Sequence, residues 1–147
     1  MSEYISVALR DAIRERAGFQ CEYCLLPEAE SFFSFEPDHI IALKHDGQTE
    51  LSNLASSCLE CNRLKGTDIA SVDSETGRIV RLFHPRPDRW PDHFEFRDGS
   101  IAPKTDIGRV TEHLLQLNRP KLIAIRRQLL AKGLCIYYFR EFMGVME

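Results

Sequence analysis

Cys21-Glu22-Tyr23-Cys24, then Asp38-His39-Ile40, then Asn53-Leu54, then Cys58-Leu59-Glu60-Cys61-Asn62-Arg63-Leu64-Lys65-Gly66 is the stretch that decides how this chain folds. It opens and closes on Cys-x-x-Cys pairs separated by 33 residues. Two intervening residues let both sulfurs of a pair converge from one tight turn. Two such turns present four thiolates to one tetrahedral zinc, and the gap between them has room for a hairpin. A site closed by four thiolates leaves no position for water or substrate. The zinc expected on Cys21, Cys24, Cys58 and Cys61 therefore staples the fold and does no chemistry. A thioredoxin-like redox pair and plain buried cysteines are the competing readings, and the doubled spacing favours zinc. The fifth cysteine, Cys135, lies among Leu134, Ile136 and Tyr137 without a partner and reads as a small core residue.

The residues between and beside the pairs are suited to phosphodiester hydrolysis. That reaction needs a base to activate water and a hard cation to neutralise charge on the phosphate and the departing oxygen. Asp38 and Asn62 offer oxygen ligands for magnesium or manganese, and a neutral imidazole at His39 offers the base. Arg63 and Lys65 follow Asn62 by one and three residues and would stand near the same phosphate, a guanidinium clamping two oxygens and an ammonium supplying a point charge. The competing reading of this basic pair is a solvated helix face.

Taken in order, these elements resemble the HNH endonuclease family in its zinc-stapled form, over residues 21 to 66. The rest of the chain is similar to the small bacterial and phage members of that family. The resemblance implies an α+β protein with a ββα-metal core, a β-hairpin crossed by a short helix. It implies His39 as general base, Asp38 and Asn62 as ligands of one catalytic Mg2+ or Mn2+, and Asn53 as the residue that ties the loop and orients His39. The implied activity is metal-dependent DNA cleavage that leaves a 5′ phosphate and a 3′ hydroxyl. One such site cuts one strand, so a monomer is expected to nick double-stranded DNA, and a homodimer or larger assembly to break both strands. Many relatives carry two glycines where this chain has Asp46-Gly47, which puts an extra acid beside Lys44 and His45.

Outward from this core, Ile5, Leu9, Ala12, Ile13 and Ala17 fall at helical spacing, and Gly18 ends that run. Ser31 to Phe35 is short, aromatic and bounded by Pro27 and Pro37, and reads as a strand leading into Asp38-His39-Ile40-Ile41. A turn through Lys44 to Gln48 follows, then a second strand over Leu51 to Ser57 and a short helix from Leu59 to Lys65 that stops at Gly66. Turn signals at Asp73 to Gly77 and Arg97 to Ser100 predict short strands or hairpins, and the proline-rich piece His84 to Pro91 reads as irregular. Two helices close the chain. Thr105 caps the first, which runs towards Leu117. Pro120 opens the second, which ends near Gly133.

In that last helix Arg119, Lys121, Arg126, Arg127 and Lys132 alternate with Leu122, Ile123, Ile125, Leu129 and Leu130, so the charges are expected to face water or a nucleic-acid backbone. Phe32, Phe33, Phe35, Trp90, Phe94 and Phe96 are chemically able to stack bases. For Phe94 and Phe96 the alternation with Glu95 reads as core packing. His84, His93 and His113 read as ordinary histidines, and His45 as a charged loop residue.

Length and composition bound these readings. The chain of 147 residues fits one domain, 1–147, with the HNH-like core over about 18–68 and a C-terminal extension over about 69–147. Apolar residues are 44% and charged residues 28%, which excludes a disordered tail or a rod. No apolar run of about eighteen residues exists, so no membrane span is expected. Met1-Ser2-Glu3-Tyr4 lacks a signal-like start, which makes a reducing cytoplasm the expected compartment. The net charge of −3 argues against coating nucleic acid by bulk electrostatics, but it is uneven. Residues 1 to 62 hold 4 basic and 11 acidic residues, whereas 101 to 140 hold 8 and 2. Two readings compete with an active nuclease: a catalytically inactive zinc-stapled module that binds nucleic acid or protein, and an accessory subunit of a restriction, phage or defence assembly.

Overall fold

A computed structural model describes residues 4–133. Residues 1–3, with the start-of-chain reading, and 134–147, with Cys135, lie outside the described residues. The chain divides into two compact units, Met1–Ile69 and Ala70–Glu147. Among the described residues no helix is long and apolar enough to cross a membrane.

In the first unit α1 spans Val7–Arg16, and the Ser6 hydroxyl caps it by accepting from Leu9 N at 3.1 Å. Ile5 and Ile13, with Leu9 at their edge, pack on Leu54 of the following hairpin. Ile13 is fully buried, which contributes about 1.5–3 kcal/mol. Ala12, expected in the same stripe, is exposed on the flank of the helix. Arg16 fastens the end of α1 by donating to the carbonyls of Leu51 and Leu54.

Strands β1 (Glu36–His39) and β2 (Leu54–Ser57) pair antiparallel, with Asp38 opposite Ala55 and His39 opposite Leu54. Both strands are shorter than the sequence predicts. Ser31 to Phe35 forms no ladder because β2 offers only four partners, and the Ser31 hydroxyl instead closes a turn onto Phe33. Phe32 and Phe33 are exposed, while Phe35 is buried. Leu51–Asn53 is a 3-10 turn before β2. Helix α2 (Leu59–Lys65) ends at Gly66 as the sequence predicts; it packs on β1 and has Cys58 at its N-cap.

Among the described residues the second unit holds two hairpins and three helices. Strands β3 (Ala70–Val72) and β4 (Ile79–Arg81) pair across a turn organised by Asp73. That buried carboxylate accepts from Glu75 N, Thr76 Oγ1 and, through two contacts at 3.1 and 2.9 Å, the Arg109 guanidinium. The proline-rich piece is irregular as far as Arg89. Trp90–His93 then forms a short helix, α3, because Pro91 falls in its first turn where no amide donor is missed.

Strands β5 (Phe94–Arg97) and β6 (Ser100–Pro103) are joined by Asp98 and Gly99, with φ of 50° and 86°. This two-residue loop needs left-handed backbone at both positions, which Asp-Gly supplies. A side chain at Gly99 would also meet Arg127 Cγ at 2.8 Å. Helix α4 (Asp106–Leu114) is capped by Thr105, and α5 (Pro120–Ala131) opens on its proline. One expected water-facing charge is not there. Arg126 is buried with Leu122 and Leu129, where its guanidinium donates to the carbonyls of Gly99 and Leu117 and lies 6.0 Å from the Phe96 ring.

Candidate functional site

The cysteine pairs meet. Cys21 and Cys24 sit on a turn closed by Cys21 N to Leu26 O and Leu25 N to Cys21 O, and Cys58 and Cys61 sit at the start of α2. Glu22 joins the two halves: its amide donates to Ser56 O, and its buried carboxylate accepts from Ser56 N at 2.8 Å. All four cysteines are buried, none is in a disulfide, and their sulfurs lie within 4.8 Å of one another. A tetrahedron with zinc–sulfur bonds of about 2.3 Å has edges of about 3.8 Å. Cys24 Sγ and Cys58 Sγ are 3.8 Å apart. Hydrogen bonding within the cluster, from Cys21 first, pulls Cys58 far below the ordinary thiol range and pushes Cys24 and Cys61 well above it. Four thiolates held this close repel one another, and a dication offsets that repulsion. Donor type, spacing and burial all fit a structural zinc.

Asp38 and His39 are adjacent on β1, so the alternation of the strand turns them to opposite faces. Asp38 points inward and is 5% exposed. Its Oδ2 accepts from Tyr23 Oη at 2.7 Å and from Lys65 Nζ at 3.1 Å; its Oδ1 has Lys65 Nζ at 3.4 Å. Burial pushes the Asp38 carboxyl above its ordinary value, and the Lys65 ammonium and Tyr23 hydroxyl pull it back. Burial, with Asp38 beside it, raises the Tyr23 phenol well above its ordinary value, so Tyr23 is a donor. Lys65 departs from the expected phosphate contact. It is 2% exposed and bonded to Asp38, to His39 O at 3.2 Å and to Ile40 O at 3.0 Å, because α2 docks on β1 with this side chain beneath it.

His39 is half-buried, with its Nε2 2.9 Å from Thr49 Oγ1. Asn53 is buried and reaches the same loop from the other side. It accepts from Ile41 N at 2.9 Å and donates to Ile41 O at 2.9 Å and Gln48 O at 2.8 Å. Gly47 fits against this clamp, where a Cβ would fall 1.7 Å from Ile41 O. Asp46 is exposed and in the left-handed conformation (φ 65°), a position glycine adopts without strain. His45 is exposed and bonds Thr67 O through Nε2.

Asn62 is half-buried, one helical turn before Lys65 on α2. No described residue engages its side-chain amide. Arg63 is exposed. The oxygens of Asp38 and Asn62 suit a hard cation, and Asp38 Oδ1 retains acceptor capacity. Three residues in this network, Glu22, Tyr23 and Thr49, were missed in the sequence. Glu22 and Tyr23 fill the variable positions of a Cys-x-x-Cys turn, where spacing gives no signal.

Two zinc-knuckle turns, an antiparallel hairpin and a short helix define the class, and residues 21–68 match the HNH endonuclease family. The α+β class predicted from the sequence is what the chain has. The chain is also similar to the Septu protein PtuA of Bacillus mycoides (strain KBAB4), 32% identical over 120 residues that cover 73% of this chain and 16% of that protein. The chain thus spans about a sixth of the length of the curated relative it matches. No solved structure matches it. The match over residues 21–68 points to a nuclease or nucleic-acid-associated function for that segment.

Proposed function

We propose that this protein is a metal-dependent DNA endonuclease that nicks one strand of a duplex, with 1–147 acting as one functional domain. The observation that supports the reading is the Lys65–Asp38 ion pair, which fastens α2, the helix that carries Asn62, to β1, the strand that carries Asp38. Asp38 and Asn62 are the residues that would hold a Mg2+ or Mn2+ ion, and such a cation would supply neutralisation of charge at the phosphate and at the leaving oxygen. His39, held at Nε2 by Thr49, keeps Nδ1 for the proton of the attacking water, which enters in line with the 3′ oxygen that departs. Asn53 fixes the loop that follows His39. Arg63, exposed at the same end of α2, contacts the phosphate backbone.

Relaxation of supercoiled plasmid by zinc-loaded protein in Mg2+ or Mn2+, beside a His39→Ala variant of unchanged zinc content, tests this. Nicking by the wild type and none by the variant supports the reading. No nicking by either in any divalent metal removes it. A second reading, a non-cutting module of a larger assembly, is favoured by one observation: the PtuA relative is far longer than the segment it shares with this chain. Equal nucleic-acid binding by wild type and His39→Ala without cleavage supports that alternative.

A further inference from the structure

Lys65 Nζ sits in a cage of oxygens: Asp38 Oδ2 at 3.1 Å, Asp38 Oδ1 at 3.4 Å, His39 O at 3.2 Å and Ile40 O at 3.0 Å. One carboxylate and two carbonyls are donors that a hard cation takes. Here a side-chain ammonium takes them, 2% exposed, beside a carboxylate that is 5% exposed. A carboxylate has about four acceptor positions. Tyr23 Oη and Lys65 Nζ occupy Oδ2, and among the described residues only the long contact to Lys65 reaches Oδ1. A divalent ion binding Asp38 must therefore approach at Oδ1, a few ångströms from a fixed positive charge in a water-poor setting where like charges repel strongly.

We infer that Lys65 is a resident counter-cation of Asp38 that sets the metal affinity of the site, so that the free protein takes the divalent ion weakly and takes it together with an anionic phosphodiester. The phosphate charge offsets the ammonium, and its oxygens complete the coordination that Asp38 and Asn62 begin. Lys65 acts through Asp38 and is a positioning residue. From the endonuclease reading the inference takes the roles of Asp38 and Asn62 as metal ligands.

The test is Mn2+ binding to the zinc-loaded full chain, followed by the electron paramagnetic resonance of free Mn2+ without turnover. Lys65→Met is expected to bind Mn2+ more tightly than wild type by about tenfold or more, the repulsion having gone. Lys65→Arg is expected to stay near wild type, and Asp38→Asn to abolish the gain in the Lys65→Met background. A merely structural role predicts the opposite sign, since damage weakens a metal site. Equal or weaker binding by a Lys65→Met protein that keeps its zinc and its circular dichroism overturns the inference.

Should Lys65→Met lose its zinc, the same titration of wild type with and without a non-cleavable phosphorothioate duplex decides. Mn2+ affinity about tenfold higher with duplex supports the inference, and equal affinity overturns it. A gain in Lys65→Met alongside a wild type that never nicks plasmid removes the endonuclease reading and leaves this one standing.

Discussion

Asn53 and Ile41 exchange two hydrogen bonds across the loop that follows His39: Ile41 N to Asn53 Oδ1 and Asn53 Nδ2 to Ile41 O, both 2.9 Å. One side-chain amide thus copies the pairing of a neighbouring strand where the β1–β2 ladder has ended. The same Nδ2 also holds Gln48 O. Asn53→Ala leaves these backbone groups without their partner and is expected to cost about 1–3 kcal/mol. Asn53→Asp is expected to be worse, since a carboxylate then faces two carbonyl oxygens. Thermal unfolding checks both, with a loss of about 2–4 °C for each kcal/mol.

Metal analysis of the purified protein is expected to find one zinc per chain. Cys58→Ala removes a ligand and the cap of α2 at once, because Cys58 Sγ accepts from Cys61 N. Binding energy of a structural zinc is folding energy. The variant is expected to lose its zinc and the slow amide exchange of residues 21–65, which hydrogen-exchange mass spectrometry reads directly. Retention of both would dismiss the staple.

Thr49 is the described partner of His39 Nε2, at 2.9 Å. Thr49→Val keeps the shape and deletes the hydroxyl. Under the endonuclease reading kcat for nicking is expected to drop about tenfold, a part of the 10²–10⁴ that a general base contributes. KM for DNA should hold, and Thr49→Ser should restore the rate. An unchanged kcat would show that this hydroxyl does not orient the imidazole.

The Arg109 guanidinium holds the Asp73 carboxyl down at about 2. The folded value lies below the unfolded value of about 3.9, so the stabilisation is fully present above that pH and is lost as pH falls towards the folded value. Urea midpoints of wild type and Asp73→Asn are expected to differ most near neutrality and to converge between about pH 4 and pH 2. A constant gap across that range would contradict the ion pair as its source.

The readable parts of the sequence are those fixed by short-range geometry. Two Cys-x-x-Cys turns, the Thr105 cap, Pro120 at a helix start and Asp98-Gly99 in a tight hairpin each depend on a few adjacent residues, and each is found where the pattern places it. Strand lengths were less legible. Phe32 and Phe33 have strand-forming side chains, but a ladder needs a partner, and β2 runs out at Ser57.

The sequence by itself thus determined the four-cysteine centre, the order of elements in residues 21–68 and the α+β class. Tertiary structure alone decided what the charged residues do. Lys65 and Arg126 look like surface cations in any local window, since both stand on helices among other charges. Their burial follows from carbonyl and carboxylate oxygens contributed by segments distant in the chain, Asp38 to Ile40 for one and Gly99 and Leu117 for the other. An ammonium or guanidinium is stable in the interior only when such acceptors surround it. That condition is set by long-range packing, which periodicity does not encode.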